Sequence, residues 1–303
     1  MSEPLAVLVL AAGLGTRLRP YTELVPKPLV PVVDKTMLAH QMTAVSRLRT
    51  CIQVDRVFAN AHHLADQVQE VAGPLGIDQV MLEHPQILGT GGPLHRIWAE
   101  GWRGELLVLN SDNYHAFHLA QFVSAARDSD APFALFCVDH ARTNFLECDA
   151  RGYVCGREGK YSVGSFVRKM TFSGVSWYSA DALARISAQD FNVVDFWKRE
   201  AENGVLPLAY TAQSQAVWID MGTPQSLYDA CATRLLELGV DRWVDRWVNM
   251  EGVSLGLGAV VCAGAWVGPD SSLRHCVLLP DARVEPGTQL EKCVVGPGFR
   301  WNL

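Results

Sequence analysis

The sequence predicts an α/β protein: a doubly wound, mostly parallel, Rossmann-like sheet followed by a short C-terminal left-handed parallel β-helix. Three features of the 303-residue chain predict it. Short apolar, β-branched runs alternate with stretches of helical spacing as far as residue 238, the pattern of right-handed βαβ crossovers. A glycine turn follows the first of these runs at once. From about Val253 branched residues recur every six positions, as in triangular coils whose faces each contribute one inward side chain.

In order, residues 7–10 read as a buried strand, and Gly13 and Gly15 supply the tight turn after it. Apolar spacing then predicts a helix over 37–48, a strand over 54–59, a helix over 62–71 and a strand over 77–82. A helix over 92–99, a strand over 106–109, a helix over 119–126 and a strand over 134–138 follow. Residues 139–170 carry turn signals at Asp149-Ala150-Arg151-Gly152 and Arg157-Glu158-Gly159-Lys160, which predict short antiparallel strands. Beyond them lie a strand over 172–178, helices over 180–186 and 194–202, a strand over 217–219, and a helix over 224–238 with Pro224 in its first turn.

The division expected is an α/β domain over 1–238, a linker helix over 239–252 and the coils over 253–303. In the linker, the tandem Asp241-Arg242-Trp243-Val244-Asp245-Arg246-Trp247-Val248 would put Trp243 and Trp247 on one helical face as a packing seam. In the coils the period runs Leu255, Val261, Val267, Leu273 and, after a one-residue slip, Leu278, Val284, Leu290.

The formal net charge of −6 argues against broad nucleic-acid binding, which needs an extended basic face. Attraction for an anionic substrate must come from local cations, here Arg17, Arg19 and Lys27. The eight cysteines form no C-x-x-C pair and no zinc spacing, the N-terminus lacks a signal pattern, and no apolar run reaches the ~18 residues of a membrane span. A soluble, cytoplasmic chain with no membrane partner is expected.

The first loop carries the chemistry. Glycines there let backbone approach a phosphate, successive amides form an anion cradle, and the arginines add permanent charge. Leu18 stands where a dinucleotide fingerprint needs glycine, and Lys27-Pro28 cannot serve a Walker loop. A polyphosphate ligand remains.

Gly13-Leu14-Gly15-Thr16-Arg17-Leu18-Arg19-Pro20, followed by Pro26-Lys27-Pro28-Leu29-Val30-Pro31-Val32, closely resembles the opening motif of the sugar-1-phosphate nucleotidyltransferases. The resemblance spans residues 5–235 and, more loosely, 250–300. It implies condensation of a nucleoside triphosphate with a sugar 1-phosphate, release of pyrophosphate, and use of Mg²⁺. Asp112 in Leu109-Asn110-Ser111-Asp112-Asn113 and Asp220 in Trp218-Ile219-Asp220-Met221-Gly222-Thr223-Pro224 match the family's metal-binding aspartates. Taken singly, an Asp after a strand is a cap or turn residue.

By the same resemblance Arg17 holds the leaving β,γ-phosphates, Lys27 bridges the reacting phosphates, and Asp112 completes the catalytic set. Leu10, Ala11, Ala12, Gly13, Gly15 and Thr16 meet the nucleotide. Leu88-Gly89-Thr90-Gly91-Gly92-Pro93-Leu94 is similar to the family's second glycine turn, so Gly91 and Gly92 face base and ribose, with Glu83 and Gln86 reading base edges. Thr171-Phe172-Ser173-Gly174-Val175 resembles the sugar-contacting strand, which adds Gly174, Asn113 and Trp218 to the sugar-phosphate side. The segment over 139–170 would cover that side.

Two features depart from the motif. Ser111 replaces the usual glycine, and the Glu-Lys-Pro segment has no clean match, leaving Lys169 as the nearest lysine for the sugar phosphate. His115 and His118 read as surface or cap histidines. Leu109-Asn110-Ser111-Asp112 is similar to mannose-1-phosphate guanylyltransferases, and Asn60-Ala61-His62-His63 to N-acetylmuramate-1-phosphate uridylyltransferases. GTP is therefore favoured and UTP next, with a modified sugar or cyclitol phosphate as an alternative acceptor. Other readings are a catalytically silent, nucleotide-sugar-binding paralogue and an acyl-transferring β-helix, the latter needing more coils. A homo-oligomer, dimer or tetramer, is expected.

Overall fold

The computed structural model describes residues 3–212 and 217–303. They fall into two compact units, the first built from residues through Gly13 with Gln41–Trp218, the second from Leu14–His40 with Ile219–Leu303. Helices lie at Met37–Arg49, Ala65–Leu75, Gly92–Ala99, Leu119–Arg127, Ala180–Arg185, Val193–Glu202 and Pro224–Leu238, close to the expected spans.

The first unit holds one large sheet. Leu5–Leu10 pairs in parallel with Arg56–Ala61 and with Glu105–Asn110, and Arg56–Ala61 pairs in parallel with Gln79–Leu82. These are the strands whose sequence alternates with helices, since only a crossover can return a strand in parallel. The sheet is mixed rather than mostly parallel. Arg168–Tyr178 runs antiparallel to both Glu105–Asn110 and Phe133–Val138, and Leu208–Thr211, unmarked by sequence pattern, joins Phe133–Val138 in parallel. Leu146–Cys148, Val154–Arg157 and Tyr161–Ser162 form the antiparallel meander expected over 139–170.

The core of this unit gathers Leu8, Leu106, Val108, Phe133, Leu135, Tyr178, Phe196 and Trp197. Helix Val193–Glu202 buries Val193, Phe196, Trp197, Glu200 and Ala201, one stripe at helical spacing. Each large side chain so buried contributes roughly 1.5–3 kcal/mol. The Trp197 indole N–H donates to the Tyr178 hydroxyl at 3.1 Å, so the polar atoms of these two buried rings satisfy each other.

In the second unit the signature segment forms three tight 3₁₀ turns, Thr16–Leu18, Tyr21–Glu23 and Lys27–Leu29, and a hairpin of Pro31–Val32 with Lys35–Thr36. Helix Pro224–Leu238 starts from a capping box in which Ser226 N–H donates to Thr223 Oγ1 (3.2 Å) and Thr223 N–H to Ser226 Oγ (2.9 Å). It stops at Gly239, which takes φ +68°.

No helix follows. The tandem over 241–248 places Trp243–Val244 as a short strand parallel to Val260–Val261, so the expected linker helix and its shared tryptophan face are absent. Trp247 is 78% exposed and stacks on Arg246 at 4.7 Å. Periodicity at four residues misleads here because the β-branched valines of the tandem also suit a rung of parallel strand.

The strands beyond pair in parallel with a register offset of 18 residues at Ser254 with Ser272, and of 17 at Val260 with Val277 and Trp266 with Arg283. Val261, Val267, Leu273, Leu278, Val284 and Leu290 are buried in one cluster and Leu255 packs half-buried against it. The slip between Leu273 and Leu278 contains His275 at φ +49°, and Lys292 repeats that conformation at +47°. Cys276 lies opposite Cys293 inside this core, and burial pushes its thiol up to about 12. Phe299–Asn302 folds back antiparallel on Gln289–Gly296, and Phe299 packs on buried Tyr21 at 6.1 Å between ring centroids.

Candidate active site

In the first unit the ends of three parallel strands lie level, with Leu10 between Asn60 and Asn110. Ligands of such sheets bind beyond these carboxyl ends. Ala11 and Ala12 are buried beneath the turn, whereas Gly13 is exposed with open space where a Cβ would stand. Asp112 follows Glu105–Asn110 and is half-buried. Asn113 is buried, and its carbonyl accepts a hydrogen bond from Gln41 Nε2 at 2.7 Å.

Gly174 sits over Asn113. The pairing of Arg168–Tyr178 with Phe133–Val138 shifts register between Phe172 and Ser176, and Gly174 within that bulge takes φ +86°. A Cβ there would stand 2.1 Å from Asn113 Nδ2, so any side chain would displace Asn113. Trp218 Nε1 donates to the Ser173 carbonyl at 2.8 Å. Asn113, Gly174 and Trp218 are thus brought together. Lys169 is not: five residues of extended strand, about 16 Å, separate it from Gly174, and its ammonium pairs with Glu158 at 3.1 Å.

The second glycine turn owes its glycines to the protein itself. A Cβ on Gly89 would stand 2.2 Å from the Phe191 carbonyl oxygen, and one on Gly91 1.9 Å from that of Asp190. The amides of Thr90 and Gly91 donate to Phe191 O at 2.9 and 3.0 Å, and that of Gly92 to Leu88 O at 3.3 Å. The Gly91 and Gly92 amides are therefore engaged inside the fold and do not donate outward. Contact between segments a hundred residues apart leaves no signal in the sequence.

Glu83 does not read a base edge either. It is 3% exposed, and its two oxygens accept from Asn60 Nδ2 and Leu88 N–H, both at 2.7 Å. Gln86 is exposed on the loop.

In the second unit Gly15 takes φ +62°, and a Cβ there would lie 2.9 Å from Thr22 Cγ2 and 3.1 Å from Lys27 Cβ. Thr22 Oγ1 donates to the Gly15 carbonyl at 2.8 Å. The turn that begins the signature is thereby packed against its lysine, and Lys27 is only 8% exposed. Thr16 and Arg17 stay exposed. The Arg17 guanidinium lies over Gly222, where a Cβ would meet Cζ at 2.4 Å, and Nη2 reaches Asp220 Oδ2 at 3.8 Å. An exposed pair of this length contributes ~0–1 kcal/mol, so it is readily exchanged for another partner. Behind them Arg234 grips Asp34 through Nε and Nη2 at 2.7 and 2.8 Å, tying helix Pro224–Leu238 to the signature hairpin. Burial raises the Asp34 carboxyl, but the hydrogen bonds and charge of Arg234 outweigh it and hold the carboxyl below its ordinary value.

A family model described as Nucleotidyl transferase matches residues 6–155. A probable mannose-1-phosphate guanylyltransferase 1 from Oryza sativa subsp. japonica is 25% identical over 97% of this chain and 81% of its own length. The N-acetylmuramate α-1-phosphate uridylyltransferase of Caulobacter vibrioides is 27% identical over 77% of this chain and 98% of its own. These matches support a sugar-1-phosphate nucleotidyltransferase family for the chain. Its fold agrees: a crystal structure of HddC from Yersinia pseudotuberculosis complexed with GMP-PN superposes with a TM-score of 0.58 at 22% identity, covering 76% of this chain and 99% of that one.

Members of this family use divalent metal ions. Among the described residues no group of three or more His, Cys, Asp or Glu side chains could hold one unaided. His115 instead meets Gln41 Oε1 at 3.0 Å and stacks on Phe117, and His118 precedes helix Leu119–Arg127 as its cap residue. Among the described residues no helix is long and apolar enough to cross a membrane.

Proposed function

We propose that the protein condenses a nucleoside triphosphate, GTP first and UTP next, with a sugar 1-phosphate, releasing pyrophosphate. A phosphate oxygen of the sugar attacks the α-phosphorus, the bond to the β-phosphate oxygen breaks, and pyrophosphate leaves. Both reactants are anions, so alignment and fixed positive charge supply most of the catalysis. The observation that supports this reading best is the arrangement of Arg17, exposed over Gly222 beside Asp220, with Lys27 packed behind Gly15 in the same unit.

Arg17 holds the β,γ-phosphates and so the leaving group. Lys27 bridges the reacting phosphates, and its low exposure strengthens its field. Gly13, Gly15 and Thr16 offer backbone and hydroxyl groups to the nucleotide, and Asn113, Gly174 and Trp218 the sugar side. Asp112 and Asp220 are the carboxylates assigned to Mg²⁺ by the family motif. The donor set fits that ion: Mg²⁺ takes one or two carboxylates and completes its shell with phosphates and water, so a cage of three protein ligands is not required. When bound, Mg²⁺ neutralises charge on the phosphate oxygens.

The Lys169–Glu158 pair favours an altered acceptor, such as a modified sugar or cyclitol phosphate, since the lysine nearest the family's sugar-phosphate position is held elsewhere. We read the C-terminal coils as a short left-handed parallel β-helix, supported by the offsets of 17 and 18 residues, and the protein as a cytoplasmic homo-oligomer, consistent with its free thiols.

Pyrophosphate release measured with five nucleoside triphosphates against a panel of sugar and cyclitol phosphates tests the reading. Turnover confined to one nucleotide–acceptor pair is expected. Tight nucleotide-sugar binding without turnover would replace it with a silent regulatory role.

A further inference from the structure

Two loops of the first unit, one opening at Ala11 and the other reaching Leu88, are joined through a single buried side-chain pair. Ala11 N–H donates to Asn60 Oδ1 at 2.6 Å. Asn60 Nδ2 donates to Glu83 Oε1, and Leu88 N–H donates to Glu83 Oε2, both at 2.7 Å. Asn60 is 1% and Glu83 3% exposed. The Glu83 carbonyl is held in turn by His62 Nδ1 at 2.7 Å.

This chain of bonds has a forced direction. A backbone N–H can only donate, so Asn60 must turn its oxygen to Ala11 and its amide nitrogen to residue 83. Residue 83 must then accept twice, from Asn60 and from Leu88, and a carboxylate of this length does so where a carboxamide cannot. With glutamine at 83, one donor always faces another. Were Asn60 to flip in response, its nitrogen would face the Ala11 N–H.

We propose that Asn60 and Glu83 are positioning residues that lock the turn over 10–13 and the loop over 84–92 into one nucleotide-binding surface, with Glu83 required for its two acceptors. The inference rests on the nucleotide-binding reading above. It accounts for a carboxylate buried beside a site that must attract polyphosphate: its charge is spent on two donors and is not displayed.

The test exchanges the polarity of the pair. Asn60→Asp alone sets oxygen against oxygen, and Glu83→Gln alone sets donor against donor. In the double variant the glutamine nitrogen donates to the new carboxylate at 60, its oxygen accepts from Leu88, and the carboxylate's other oxygen accepts from Ala11. Every bond is restored with the negative charge moved to the neighbouring side chain. Calorimetric titration with Mg·GTP and Mg·UTP, and amide hydrogen exchange at Ala11 and Leu88, are the readouts.

Each single variant should weaken nucleotide binding about tenfold or more and speed exchange at both amides, leaving the sugar-phosphate KM within about twofold. The double variant should recover nucleotide affinity and amide protection to within about threefold of the parent. Single variants with unchanged affinity and protection, or a double variant no better than the worse single one, would overturn the proposal. If the parent binds no nucleotide, the functional reading fails separately, and exchange at the two amides still decides the coupling: protection lost in the single variants and regained in the double supports it, and unaltered protection rejects it.

Discussion

Arg17 rests on Gly222, close enough that a single methyl group at that position would occupy the guanidinium's place, 2.4 Å from Cζ. The glycine of the Asp220-Met221-Gly222-Thr223 segment therefore clears the platform on which the Arg17 guanidinium lies. Gly222→Ala should lower kcat/KM for the nucleotide about tenfold or more while shifting Tm little, because Arg17 and Asp220 are both exposed and their pair is weak. Steady-state kinetics beside a melting curve check this. Unchanged kinetics would separate Arg17 from the reaction.

Asp112→Ala and Asp220→Ala should each reduce Mg²⁺-dependent turnover about 10²-fold or more, the scale of losing a preorganised charge-stabilising element. Pyrophosphate release across a Mg²⁺ titration measures it. A variant keeping near-parental rates would remove its aspartate from the metal assignment.

Gly15→Ala should be costly for stability as well as activity. The site combines φ +62° with contacts of 2.9 Å to Thr22 and 3.1 Å to Lys27. A side chain forced into that conformation costs about 1 kcal/mol or more before the clash is counted. Denaturant unfolding should show a loss of about 1–3 kcal/mol. A loss below about 0.5 kcal/mol would mean that the turn relaxes freely.

The Asp34–Arg234 pair predicts a pH dependence. The folded carboxyl titrates below its unfolded value, so its contribution is complete above about pH 4, the unfolded range, and disappears as pH falls through the lowered folded value. Asp34→Asn should therefore be destabilising at neutral pH, and the gap from the parent should close in acid. Equal gaps at pH 7 and pH 3 would show that the ion pair does not carry the effect.

The two tryptophans of the tandem should separate. Trp247 is 78% exposed, so Trp247→Ala should change stability by no more than about 0.5 kcal/mol. Trp243 is half-buried in the rung that pairs with Val260–Val261, and its replacement should cost more. Chemical denaturation of both variants compares them directly.

Local order is legible where one physical cause dominates. The helix at Pro224–Leu238 follows from a proline start, a Thr223 cap and a Gly239 stop, all visible as residue types. Of the six-residue period beyond Val253, all positions but half-buried Leu255 survive as buried ones, because parallel strands paired at a regular offset bring the same kind of residue into one cluster. The tandem at 241–248 misleads for the opposite reason: eight residues satisfy both a helical and a strand pattern, and pairing with Val260–Val261 chooses between them.

The sequence by itself determined the alternation that builds a parallel core and the glycine turn after the first strand, both of which follow from local spacing and side-chain chemistry. Arg17, Lys27, Asp112 and Asp220 are singled out by resemblance to a family motif. Only the tertiary structure decided what the glycines and the buried acid are for. Gly89 and Gly91 make room for the backbone of Asp190 and Phe191, Gly174 for Asn113, and Gly222 for Arg17, while Glu83 answers two amides and leaves no oxygen for a base. The reason is physical: close approach and hydrogen-bond direction are properties of chain segments that meet only on folding, and residue type alone does not say which partner will arrive.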